Sequence, residues 1–150
     1  MKNLLIIGGL VVVLVVSGSL WSATLQSNDP DVIAENGLHW HPRLEIYVRG
    51  EKIEIPANIG IGPQYAALPT YDASMKMTAI HTHEDMPVIH LEFPGFVREK
   101  DMMLGNFFRI WGRDMHSFGT NVRMTVNGVP NAAFEGYIMR DKDIITLQYD

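Results

Sequence analysis

Five of the six histidines in this chain fall in two short stretches, "HWHPRLEIYV" from His39 and "HTHEDMPVIH" from His81. Each stretch opens on a His-x-His pair, and the second ends on a further histidine, His90. In extended backbone, residues i and i+2 point to the same side, about 6.5–7 Å apart. His39 with His41, and His81 with His83, can therefore each offer two imidazoles to one ion. Pro42 supports this for the first pair, because the residue before a proline is biased to extended geometry. His90 joins them if Glu84 to Pro87 turn the chain so that "HTH" folds back over "VIHLE". Four or five neutral imidazoles meeting at a point suit a transition metal, whereas Mg²⁺ and Ca²⁺ sites are built from oxygen.

The metal is narrowed by what is missing. The chain has no cysteine, which excludes thiolate zinc sites, disulfides and a blue-copper centre. Copper is favoured over zinc by the affinity order at nitrogen ligands, and Met86 beside the second pair offers a thioether. Two bland readings stand against a metal: histidines hydrogen-bonded in a polar seam, and clustered histidines that sense pH. Glu92, on the same strand face as His90, reads either as a solvated carboxylate or as a group that orients a ligand. His116 reads as a surface loop residue.

A His-x-His pair followed by a third histidine resembles the strand-borne zinc site of α-type carbonic anhydrases, but this chain is far too short for that fold. Glu84, Asp85 and Glu92 are the nearby candidates for an acid or base in a small His-ligated metalloenzyme. No His-Glu-x-x-His, phosphate loop or serine triad is present, so binding is favoured over catalysis. The 17 acidic residues outnumber the 12 basic ones, which argues against a nucleic-acid partner.

The elements that must position these residues follow a long apolar opening. No charge occurs between Lys2 and Asp29, and the run from Leu4 to Trp21 is near the lower length limit for a membrane-spanning helix. Residues 1–23 are thus expected to be a transmembrane anchor or a cleaved export signal, 24–36 a linker, and 37–150 an exported His-rich domain. The expected location is a single-pass protein of the cell membrane, with its N-terminus cytoplasmic and its domain periplasmic or extracellular. An accessory subunit of a larger membrane complex, with structural histidines, is the alternative role.

Within the domain, "RLEIYVRGEKIEIP" alternates in polarity, with Leu44, Ile46 and Val48 on one side, and predicts a β-hairpin turning at Arg49-Gly50. "PANIGIGPQYAALP" reads as a long ordered loop or an irregular edge. Val88 to Phe93 reads as a strand with Ile89, Leu91 and Phe93 inward. Leu104, Phe107, Phe108 and Trp111 follow helical spacing, with Asp101 as N-cap and Gly112 as the stop. Asn127-Gly128 predicts a second tight hairpin, and "DIITLQYD" a last strand.

This order predicts an α+β fold: a transmembrane helix followed by a small, mostly antiparallel sheet with one packed helix. The closing pattern "TVNGVP…YIMRDKDIITLQY" is similar to the ends of β-grasp domains, which implies a β-grasp-like sheet. The motifs "HWH", "IPANIGI", "HTH", "VIHLE", "LGNFFRIWG" and "VNG" together resemble a family of small, N-terminally anchored, His-rich prokaryotic proteins of uncharacterised function. That resemblance implies a location and a fold.

Overall fold

Two adjacent positive-φ residues close each of the chain's two tight hairpins. They are Arg49 and Gly50 (φ 52° and 84°) and Asn127 and Gly128 (φ 53° and 79°). This is the type I′ geometry, whose twist matches that of paired strands. The computed structural model describes residues 11–18, 29–119 and 121–150. Residues 11–18 form a helix, α1, with exposed side chains. The main unit runs Ile33–Asp150.

The strands are β1 (Val32–Ala34), β2 (Leu38–Trp40), β3 (Arg43–Val48), β4 (Glu51–Ile53), β5 (Tyr71–Asp72), β6 (Met77–Thr78), β7 (Ile80–His81), β8 (His90–Phe93), β9 (Val97–Arg98), β10 (Val122–Val126), β11 (Val129–Pro130) and β12 (Ile144–Tyr149). The second helix, α2, is Leu104–Trp111. A five-stranded sheet has the order β11-β10-β12-β3-β4. Its chain-terminal strand β12 lies between β3 and β10, parallel to β3 and antiparallel to β10. A separate three-stranded sheet, β2-β8-β7, carries His39, His81 and His90, with His41 and His83 just past the ends of β2 and β7.

The core collects the inward faces of both sheets and the helix. Leu44, Ile46, Ile145 and Leu147 are fully buried, and they join Ile80, Ile89, Leu91, Leu104, Phe107 and Phe108 in one cluster. Helix α2 packs against β7 and the 3₁₀ turn Phe134–Gly136, so it backs the strand that carries His81. Gly112 ends α2 in the left-handed conformation (φ 71°), with the Arg113 amide donating back to the Phe108 carbonyl. Phe107 is fully buried, whereas Trp111 is only half-buried and lies tilted against Phe118, with ring centroids 5.7 Å apart.

The expected anchor, sheet arrangement and helix cap need correction. Among the described residues no helix is long and apolar enough to cross a membrane. Of the expected anchor, residues 11–18 are described, and they are helical. The rest of the expected anchor, residues 1–10 and 19–23, lies outside the described residues. The transmembrane helix and the single-pass extracytoplasmic location are therefore not supported, since both rested on that segment. Among the described residues the fold is mostly sheet with two helices, and the strands form four separate sheets, the largest with a parallel central pair.

The helix cap is also different. Met103 is the N-cap of α2, and Asp101 sits one turn earlier, accepting from the Arg98 amide at 2.9 Å. The Asn106 side-chain amide reaches back to the carbonyls of Lys100 and Asp101 at 2.8 and 2.9 Å, so a 3₁₀ turn precedes the helix. The expected loop after Pro56 is present, holds one 3₁₀ turn at Pro63–Tyr65, and leads into the short β5–β6 hairpin.

Candidate metal centre

Strand β8 organises the site. Its neighbours pair antiparallel on both sides, with His39 opposite Glu92, Trp40 opposite Leu91 and His81 opposite His90. Directly paired residues share a face. Alternation along β8 then sorts the chemistry: Leu91, Trp40 and Ile80 fall on one face, and His90, Glu92, His39 and His81 on the other. The apolar residues on the first face belong to the core or pack against it. That burial fixes the strand register, and the register gathers the histidines.

All five predicted histidines converge. Ring centroids are 4.6 Å apart for His39 and His41, and 4.9 Å for His41 and His90. From His90 the rings of His83 and His81 lie at 4.7 and 5.4 Å, and His81 and His83 are 4.8 Å apart. His90 is the hub. The nitrogens fall into two groupings that could each hold a metal ion, His39–His41–His90 and His81–His83–His90, with ligand atoms within 4.8 Å of one another in each. A third grouping, Asp114, His116 and Glu135, lies elsewhere and is fully surface-exposed.

The segments that carry the pairs are tied down. Thr82, between His81 and His83, is buried. Its hydroxyl donates to the Pro56 carbonyl at 3.0 Å and accepts from the Ile59 amide at 3.0 Å. Its backbone completes the clamp, with Asn58 N to Thr82 O and Thr82 N to Ile59 O, both at 3.0 Å. The "IPANIGI" loop therefore serves as a bracket for "HTH". Gly60 (φ 80°) passes so close that an added Cβ would sit 2.7 Å from the Ile80 carbonyl oxygen and 3.1 Å from His81 Cβ, and it would also collide with the Thr78 hydroxyl. On the other side, the His41 amide donates to Asp141 Oδ1 at 3.0 Å. The Arg43 amide donates to the Asp143 carbonyl at 2.7 Å.

Individual rings are oriented for coordination. His81 is fully buried, and its Nδ1 lies 2.9 Å from the Thr78 carbonyl. A carbonyl only accepts, so Nδ1 carries the proton and Nε2 keeps a lone pair. That Nε2 is buried with no hydrogen-bond partner. Burial pushes the His81 pKa below its ordinary value of 6.5, against the opposing pull of the Thr78 bond and Glu92, so the ring is held neutral.

His90 Nε2 lies 3.1 and 3.2 Å from the two Asp85 oxygens, and His39 Nε2 lies 2.8 Å from Glu92 Oε1. Burial pushes the Asp85 carboxyl up, but the hydrogen bond and charge of His90 outweigh it and hold Asp85 below the usual range. A carboxylate on one ring nitrogen fixes the tautomer and leaves the other nitrogen as a donor, the arrangement common around metal-bound histidine.

The donor set thus fits a transition ion: nitrogens only, no thiolate, three rings with one nitrogen anchored, and one buried lone pair without a partner. Asp85, Thr82 and Asp141 were not identifiable as supports from spacing alone. Asp85 reaches His90 only because the bends at 84–87 return the chain. An open groove of about 480 Å³ beside the site is lined in part by Leu38, His39, Glu92 and Phe93. Comparison with known proteins finds no match: no family model, no curated protein and no solved structure corresponds to this chain.

Proposed function

We propose that this protein binds a transition-metal ion through His39, His41, His81, His83 and His90, with copper favoured over zinc. One observation carries the reading: the fully buried His81 Nε2, with a lone pair and no partner, on a ring that groups with those of His83 and His90. A buried polar atom left unsatisfied costs about 1–3 kcal/mol, and a coordinated ion would remove that cost. The preference for copper rests on the affinity order at nitrogen ligands and the absence of thiolate.

Carriage or storage is favoured over hydrolysis. The carboxylates nearest the histidines, Asp85 and Glu92, are bonded to His90 and His39, so they orient ligands and are not free to act as bases. The test is metal analysis of the purified full-length protein, followed by titration of the metal-free form with Cu²⁺ and Zn²⁺ while thermal unfolding is monitored. An ion that binds the folded state alone raises the melting temperature by mass action. His83→Ala and His90→Ala should each weaken that stabilisation. A protein that purifies without metal and melts identically with and without added Cu²⁺ and Zn²⁺ would overturn the proposal.

A further inference from the structure

The five imidazoles do not surround a single point. They form two overlapping groupings, and His90 is their one shared member. Asp85 occupies one ring nitrogen of His90, which leaves one lone pair for an ion. His90 can therefore complete the coordination of one grouping at a time.

The two groupings also differ in access. The outer one contains His39, whose side chain is 60% exposed and carries Glu92 against its Nε2. The inner one contains His81, which is 0% exposed and has the unpartnered Nε2. An ion arriving from solvent meets the outer histidines first, beside a carboxylate that attracts cations. The stronger thermodynamic need lies inside, where an unsatisfied buried nitrogen awaits a partner.

We infer that the two groupings are successive stations for one ion: His39, His41 and His90 receive it, and His81, His83 and His90 hold it. The step is ligand exchange without redox change. Bonds from the ion to His39 and His41 break, bonds to the His81 and His83 nitrogens form, and His90 stays bonded throughout. This rests on the metal-binding reading above and adds the order of events and the stoichiometry.

The test uses the full chain, labelled with ¹⁵N at its histidine rings, and Zn²⁺ as a diamagnetic probe. At one equivalent, the ring nitrogens of His81, His83 and His90 should show full coordination shifts, while those of His39 and His41 return to their metal-free positions. A second equivalent should bind at least about 100-fold more weakly, from the lost ligand and the repulsion of two dications a few ångströms apart. In His83→Ala the inner station is short of a ligand, so the first equivalent should instead shift His39 and His41 persistently. Two equally tight equivalents, or a single ion that rests on His39 and His41 in the unaltered protein, would overturn the relay while leaving metal binding intact. An absence of any ring shift would overturn metal binding itself.

Discussion

Replacing Thr82 by valine tests whether the bracket around "HTH" holds the site. Valine matches threonine in shape, so the change removes the hydroxyl and little else. The hydroxyl makes two bonds of 3.0 Å, one to the Pro56 carbonyl and one from the Ile59 amide. Each is worth about 0.5–1.5 kcal/mol net, and a buried group left unpaired costs about 1–3 kcal/mol. The Pro56 oxygen has a second lone pair, whereas the Ile59 amide is left as a buried donor. Thr82→Val should therefore destabilise the folded protein by about 2–4 kcal/mol. At roughly 2–8 °C per kcal/mol for domains of this size range, the melting temperature should fall by about 10 °C. Because Thr82 lies between two of the proposed ligands, the affinity for Zn²⁺ or Cu²⁺ should fall as well, although neither imidazole has been removed. Urea unfolding and a metal titration of the same variant give both readouts. An unchanged unfolding midpoint would refute the claim that this hydroxyl clamps the segment, and lost stability with undiminished affinity would refute its role in positioning the histidines.

Gly60→Ala should both destabilise the protein and weaken metal binding, because the new Cβ meets the Ile80 carbonyl and His81 Cβ at 2.7 and 3.1 Å in a backbone conformation with φ 80°; calorimetry with and without metal would show it. The metal-free protein should lose stability in acid. His81 has its pKa lowered by burial from 6.5, so below that value the unfolded chain binds more protons than the folded one. Its contribution is therefore complete above about pH 6.5 and is lost as pH falls through the lowered value; a His81→Gln variant that remains folded should show a flatter pH profile in urea titrations across that window. Phe107→Ala, at a fully buried ring, should cost about 3–5 kcal/mol. Trp111→Ala should cost clearly less, since that ring is only half-buried, and equal midpoints for the two variants would contradict the packing described.

Local chemistry was legible in the sequence wherever it is decided by neighbours a few residues apart. The alternation of Leu44, Ile46 and Val48, the glycine turns at Gly50 and Gly128, and the stop at Gly112 each rest on short-range sterics and periodicity. So did the suspicion that His39, His41, His81, His83 and His90 act together, because a His-x-His pair in extended backbone already points two rings one way. The apolar opening shows the opposite case. Its hydropathy alone predicted a spanning helix, and among the described residues no helix is long and apolar enough to cross a membrane.

The tertiary structure decided how the histidines meet. Nothing near His39 in the sequence specifies that it pairs across from Glu92, nor that His81 pairs across from His90. Those registers follow from burying Leu91, Ile80 and Trp40 on the opposite face, a requirement set by residues up to about a third of the chain away. The burial of His81 has the same origin. So does the division of five equivalent-looking rings into an outer and an inner grouping that share His90, since imidazoles of one type differ only in what surrounds them. The sequence by itself determined the donor chemistry, nitrogen without thiolate; only the folded packing decided which lone pair is buried, which rings carboxylates hold, and which are open to solvent.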